Sequence, residues 1–214
     1  MRLAVNFITL GLGVVSLYND VGILVIIKIF AKLRHSFIFG NKIMALIKTV
    51  NGKSPVMGEG CYLAENATLV GDVVMGESCS VWFNAVVRGD VHYIKMGDKV
   101  NIQDGAVIHC TYQKHATEIG HNVSIGHNAL VHGCTIHNNV LIGMGAIVMD
   151  GVVVESNSII AAGAVVLEGT LVESGSIYAG IPAKKVKSLS QEQTARLIEG
   201  IANNYVMYSS WFSE

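Results

Sequence analysis

The chain has 214 residues, enough for one domain with a sizeable core and short appendages. Its 15 basic and 16 acidic residues give a net charge of −1, and no basic run favours nucleic acid or an anionic membrane surface as a partner. The 4 cysteines form no CxxC pair, which argues against a redox motif or a thiolate zinc site. We expect reduced thiols in a cytoplasmic protein.

Residues 1–43 differ in composition from the rest of the chain. The segments 3–19 and 21–30 are apolar, and a basic patch accompanies them. They lack an obvious signal-peptide cleavage site and are marginal in length for a membrane span, which needs about 20 apolar residues. We interpret residues 1–43 as an N-terminal extension before a natural start at Met44, without a part in the function. A membrane anchor is the alternative.

An apolar residue recurs every six positions over most of the remaining chain, with three short interruptions. The recurring residues are Met57, Leu63, Leu69, Met75, Val81, Val87, Met96, Ile102, Ile108, Ile119, Ile125, Val131, Ile136, Ile142, Val148, Val154, Ile160, Val166, Val172 and Tyr178. A small or slender residue follows four positions after nearly every one of them. Neither a strand nor a helix keeps such a phase over about 120 residues.

This pattern resembles the hexapeptide repeat of left-handed parallel β-helices, in which three hexads form one triangular coil. The period and the inward apolar row come from the sequence. The left hand comes from the resemblance and runs against the general preference for right-handed crossovers. We therefore predict an all-β fold, a left-handed parallel β-helix of hexapeptide repeats over residues 44–187, followed by a C-terminal α-helix over 188–214.

The C-terminal helix is predicted from two local signals. Ser190 and Gln193 have the spacing of a capping box. Leu197, Ile201 and Tyr208 lie on one helical stripe, with Ile198 and Tyr205 beside it. We expect this stripe to pack on the outside of the β-helix.

The hexad register stacks two histidines. Grouping hexads in threes places His109 and His132 one above the other on adjacent coils, about 4.8 Å apart at the backbone. Two imidazoles at that separation can converge on one metal with bonds of about 2.0–2.1 Å. His127 falls near a different corner, with Asp104 at the equivalent place one coil earlier. A neighbouring subunit in a three-fold ring would bring His127 to the pair.

Residues 86–110 and 124–134 are similar to the gamma-class carbonic anhydrases and their close relatives, through RGD, NIQD and the paired histidines. The resemblance implies that His109, His127 and His132 are metal ligands. It implies Zn²⁺ as the cofactor, with Fe²⁺ or Co²⁺ as alternatives.

The same resemblance assigns further site residues. Arg88 and Asp90 match a charged pair of the site and subunit interface, with Arg88 expected to bind Asp90 of a neighbouring subunit. Gln103 and Asp104 match the polar residues that position water and substrate, and Asp104 could accept a proton or hydrogen bond from the water. Tyr205 matches the C-terminal active-site tyrosine.

The implied function is reversible hydration of CO₂ to bicarbonate by a metal-bound hydroxide, in a lyase that forms a homotrimer with metal sites between subunits. Val91 stands where fully active members carry a carboxylate, the loop before Glu118 is short, and Met207 replaces an expected asparagine. Two alternatives stay open: a hexapeptide acyltransferase or thioesterase acting on acyl-CoA, and a catalytically weak carbonic anhydrase-like trimer.

Overall fold

A computed structural model describes residues 44–212, so the interpretation of residues 1–43 lies outside the described residues. The strands within this range are β1 (Leu46–Lys48), β2 (Val56–Met57), β3 (Tyr62–Leu63), β4 (Thr68–Met75), β5 (Ser80–Val81), β6 (Val86–Met96), β7 (Asn101–Ile102), β8 (Val107–His109), β9 (Thr117–Ile119), β10 (Ser124–Ile125), β11 (Leu130–His132), β12 (Thr135–Ile136), β13 (Val140–Ile142), β14 (Ile147–Val148), β15 (Val153–Val154), β16 (Ser158–Ile160), β17 (Val165–Val166), β18 (Leu171–Val172), β19 (Ser176–Ala179) and β20 (Lys184–Ser188). Helix α1 (Gln191–Thr194) continues through a π-helical turn (Ala195–Glu199) into α2 (Gly200–Ser210).

The strands wind into a left-handed parallel β-helix of about seven turns, which confirms the predicted fold class. The second face stacks β3, β5, β7, β10, β13, β16 and β19. The first and third faces belong to one sheet, because the long strands β4 and β6 run around the corner between them. β6 pairs with β8 on the third face and with β9 on the first.

The core is a column of inward apolar side chains. On the third face Val87 pairs with Ile108, Ile108 with Val131, and Val131 with Val148, and all four side chains are fully buried. Residues before them on the same strands alternate outward, as the two-residue period of a strand requires. The hexad register read from the sequence is therefore the register of the coils.

The corner between the second and third faces turns on residues with left-handed backbone. Each of five successive coils has one at this corner, with φ between 56° and 69°: Asn84, Gly105, Asn128, Gly145 and Gly163. Asparagine and glycine adopt this conformation more readily than other residues. The residue just before each of them is partly or fully exposed.

An antiparallel pairing of β19 with β20 ends the coils, and the helical segment follows. The Ser190–Gln193 capping box is present in both directions, as predicted. The most completely buried residues of the helical segment are Ile198 and Ala202, so the predicted stripe is centred on the wrong residues. The Gly200 N–H donates to the Ala195 carbonyl five residues earlier, and this wider turn rotates the helix face. Between residues 44 and 212 no helix is both long and apolar enough to span a membrane.

Candidate metal centre

Two histidines meet at the corner where the third face ends. β8 and β11 are parallel neighbours, and His109 is paired in register with His132. The Nδ1 atom of His109 lies 3.1 Å from the Nε2 atom of His132. Both rings are mostly withdrawn from solvent, with 16% and 31% of their side chains exposed. The predicted stacking of these two histidines is confirmed.

A carboxylate holds the outer nitrogen of each ring. Asp90 Oδ1 lies 3.1 Å from His109 Nε2, and Asp150 Oδ1 lies 2.5 Å from His132 Nδ1. With the outer N–H groups donated to these carboxylates, the two inner nitrogens face each other with their lone pairs. Carboxylates in this position are typical of metal-bound histidines, because they fix the tautomer and the orientation of the ring.

Arg88 completes this corner. Its Nη1 atom donates to Asp90 Oδ2 at 2.7 Å. Within one chain Arg88 thus binds its own Asp90, and the expected contact with Asp90 of a neighbouring subunit stays a prediction. The two side chains lie two residues apart on β6 and therefore project from the same side of the strand.

The local electrostatics favour a neutral His109 ring and ionised Asp90 and Asp150 carboxylates. Burial lowers the pKa of His109, and the Arg88 charge acts in the same direction, so the ring is neutral at pH 7. Burial alone would raise the pKa of Asp90, but the hydrogen bonds from Arg88 and His109 hold it below its usual value. The pKa of Asp150 is lowered likewise, since its bonds with Thr111 and His132 outweigh desolvation.

The separation of the inner nitrogens fits a shared metal ion. Two nitrogens bound at about 2.0–2.1 Å to a tetrahedral ion lie roughly 3.3–3.4 Å apart. The observed 3.1 Å between His109 Nδ1 and His132 Nε2 is close to that value. Imidazoles whose outer nitrogens are held by carboxylates are also a suitable set of ligands. The residues present therefore fit a divalent metal ion.

The third predicted ligand lies at the other edge of the same face. His127 precedes Asn128, the left-handed residue of its corner, and its side chain is 38% exposed. Its Nδ1 atom lies 2.8 Å from Asp104 Oδ2 on the preceding coil, where the register places that residue. All three predicted histidine ligands thus have a carboxylate on one ring nitrogen.

Gln103 and Tyr205 lie on the side of the molecule covered by the C-terminal helix. Gln103 is buried, and its Nε2 atom donates to Asn101 Oδ1 at 3.0 Å. The Tyr205 ring packs edge-on against Trp82, with ring centroids 5.3 Å apart. Burial raises the pKa of Tyr205 to about 12, and the nearby Asp104 charge adds to the effect. Tyr205 therefore keeps its proton and can act only as a neutral hydroxyl near neutral pH.

The structure thus gathers the predicted site residues into two half-sites on one chain. The pair half-site contains Arg88, Asp90, His109 and His132, and the single half-site contains His127, Asp104 and Gln103, with Tyr205 near Asp104. They border opposite edges of the third face. Among residues 44–212 no group of three or more His, Cys, Asp or Glu side chains could hold a metal within one chain.

Asp150 is the site residue that sequence reasoning missed. It lies 18 residues after His132, but the coil between them is one residue short, since Val131 pairs with Val148. The register therefore stacks Met149 on His132 and places Asp150 one position further along the chain. The contact is diagonal across a corner, and the row of inward apolar residues gives no indication of it.

The comparisons with known proteins agree with this description. A family profile described as "Bacterial transferase hexapeptide (six repeats)" matches residues 133–168. The chain is 39% identical over 160 residues to Protein YrdA of Escherichia coli strain K12, covering 72% of this chain and 86% of that protein. It is 42% identical over 146 residues to a probable carbonic anhydrase of Methanocaldococcus jannaschii, covering 68% and 89%.

A solved structure extends the likeness to three dimensions. The crystal structure of a hexapeptide transferase family protein from Anaplasma phagocytophilum has a TM-score of 0.74 and 39% identity, covering 78% of this chain and 98% of that chain. The two proteins therefore share both their fold and much of their sequence over most of the described coils. This chain therefore belongs to the gamma carbonic anhydrase-like family of hexapeptide-repeat proteins.

Proposed function

We propose that this protein catalyses the metal-dependent, reversible hydration of CO₂ to bicarbonate. Its metal ion would be held by His109 and His132 of one subunit and by His127 of the next. The observation that carries the proposal is the 3.1 Å approach of two histidine nitrogens whose outer nitrogens are both bound by carboxylates. Zn²⁺ fits three nitrogen ligands with one open position, and Fe²⁺ or Co²⁺ accept the same ligands.

A bound divalent ion would supply Lewis acidity toward water and substrate oxygen atoms. The chain's own residues would position the reactants around it. Asp104 Oδ2 lies 2.8 Å from His127 Nδ1, and this contact would leave Nε2 as the ligating nitrogen of His127. Gln103 is held by Asn101 and so presents a fixed carboxamide to the substrate. Arg88 neutralises Asp90 and, through it, keeps His109 oriented.

Assembly into a homotrimer is part of the proposal, because one chain carries only separate half-sites. The face between them presents a strip of outward apolar side chains: Val86, Val107, Leu130, Ile147 and Val165. Met149 and Leu167 beyond them are 39% and 48% exposed. An apolar face of this kind is suited to burial against another copy. Contacts between two different surface patches close into a ring when the rotation fits.

The proposal is tested by following CO₂ hydration with a pH indicator in a stopped-flow instrument, on protein loaded with Zn²⁺ and, separately, anaerobically with Fe²⁺. We expect catalysis that falls by more than about 100-fold in His109→Ala, because removing a ligand should cost more than disturbing an outer partner. His121→Ala is the matched control, since His121 also has a carboxylate oxygen near its ring, Asp98 Oδ2 at 3.2 Å from Nδ1, but lies outside both half-sites. Equal rates in the unaltered protein and His109→Ala would refute the proposal.

A second candidate is acyl transfer or thioester hydrolysis with an acyl-CoA substrate. It is favoured by the transferase description of the profile over residues 133–168 and by the structural relative named as a hexapeptide transferase. Such an activity would not need the carboxylate-bound histidine pair to bind a metal. Turnover of acetyl-CoA that survives a chelator and the His132→Ala change would favour this candidate over CO₂ hydration.

A further inference from the structure

We propose that Asp150 is a positioning residue of the metal centre, and that Thr111 holds Asp150 in place. Asp150 acts through His132 and would not contact the metal itself. The inference rests on the proposed function, because it concerns the metal that His132 would bind. It adds an element to the site: the short loop after His109 sets the orientation of the second ligand.

The first step is the link between Asp150 and His132. Asp150 Oδ1 lies 2.5 Å from Nδ1 of the His132 ring. A carboxylate there requires the proton on Nδ1 and leaves the Nε2 lone pair directed at His109. Without the carboxylate, the ring could rotate or carry its proton on the inner nitrogen, and both changes oppose metal binding.

The second step is the link between Asp150 and the loop. The Thr111 hydroxyl donates to Asp150 Oδ2, so both carboxylate oxygens are engaged. Thr111 is fixed in turn by its backbone, which exchanges hydrogen bonds with His115 across the loop. Thr111 follows the ligand His109 by two residues. The loop thus connects the two ligands of the pair half-site through Asp150.

The third step is the space that the coil leaves for this carboxylate. Gly133 directly follows His132 and has a left-handed backbone, with φ at 53°. A Cβ atom on Gly133 would lie 2.5 Å from Asp150 Oδ1 and 2.8 Å from the His115 Cβ atom. Any other residue at this position would displace the carboxylate or the loop. Because Gly133 has no side chain, the Asp150 carboxylate can lie close enough to bind His132.

The experiment measures the affinity of the full-length protein for Zn²⁺, by competition with a chromophoric chelator, and the absorption spectrum of the Co²⁺ form. We expect Asp150→Ala to bind Zn²⁺ about 10- to 100-fold more weakly and to show an altered Co²⁺ spectrum. Thr111→Val should weaken binding in the same direction, whereas Thr111→Ser keeps the hydroxyl and should bind normally.

Asp98→Ala is the matched control. Asp98 also stands at a coil corner, and its Oδ2 atom lies 3.2 Å from Nδ1 of a histidine that is not a proposed ligand, His121. Normal Zn²⁺ affinity in Asp150→Ala, or an equal loss in Asp98→Ala, would overturn this inference while leaving the proposed function intact. If the unaltered protein binds neither Zn²⁺ nor Co²⁺, the proposed function fails and this inference fails with it. Thermal unfolding of the metal-free variants checks that each one is folded.

Discussion

Hybrid trimers of two inactive variants are expected to bind metal, although neither variant binds it alone. His127→Ala keeps the pair half-site and loses the single half-site, and His132→Ala does the reverse. Because the half-sites border opposite edges of one face, a hybrid assembly contains an interface at which an intact pair meets an intact His127. Each mixed trimer should then hold about one metal in three sites.

The measurement requires two differently tagged chains, produced together and purified through both tags in succession. Metal content per chain and CO₂ hydration are then compared with those of each variant purified alone. His121→Ala combined with His132→Ala in the same chain serves as the control partner for His127→Ala, since it should restore binding equally well. If hybrids contain no more metal than the separate variants, the metal is not shared between subunits.

Gly71→Ala is expected to cause the largest loss of stability among substitutions that add a single methyl group. Gly71 has φ at 76°, where a Cβ atom is strained by roughly 1–2 kcal/mol. That Cβ atom would also lie 2.3 Å from the Gly89 carbonyl oxygen on the next coil. Overpacking typically costs another 1–3 kcal/mol, so the free energy of unfolding should fall by about 2–5 kcal/mol.

Gly163→Ala separates the cost of backbone strain from the cost of overpacking. Gly163 has nearly the same backbone, with φ at 67°, but a Cβ atom there would meet nothing within 4 Å. It should therefore show only the conformational strain, about 1–2 kcal/mol. Thermal and urea unfolding of both variants check the difference. Equal losses would mean that the coils at Gly71 can move apart at no cost.

The Gly71 variant should also affect the metal centre. Its added methyl group would press on Gly89, and Asp90 follows directly and holds His109. We expect weaker Zn²⁺ binding in Gly71→Ala than in Gly163→Ala, measured by chelator competition at a temperature where both are folded. Unchanged affinity would show that β6 absorbs the displacement without moving the carboxylate.

Much of the site could be read from the sequence because a β-helix is close to one-dimensional. Residues one coil apart are neighbours, so the period alone places His109 beside His132 and Asp104 beside His127. The loop between Cys110 and Thr117 did not spoil this register, since an insertion at a corner leaves the coils on either side stacked. Cys61 and Cys79 likewise fall on adjacent coils.

The C-terminal helix shows where local patterns are insufficient. Its start was predictable, because a capping box is formed by residues three positions apart. Its buried face was not, because a single π-helical turn shifts every later residue around the helix axis. The contact of Tyr205 with Trp82 depends on that rotation as well as on docking against the second face.

The sequence by itself determined the coil, the register and the three histidines that the register distributes between two corners. Those features follow from a repeat in which each residue's neighbours lie a fixed number of positions away. Only the tertiary structure decided which carboxylates bind the histidine pair: Asp90 on His109 and Asp150 on His132. These contacts cross corners, where left-handed residues and absent side chains such as that of Gly133 set the distances, and a period does not specify either.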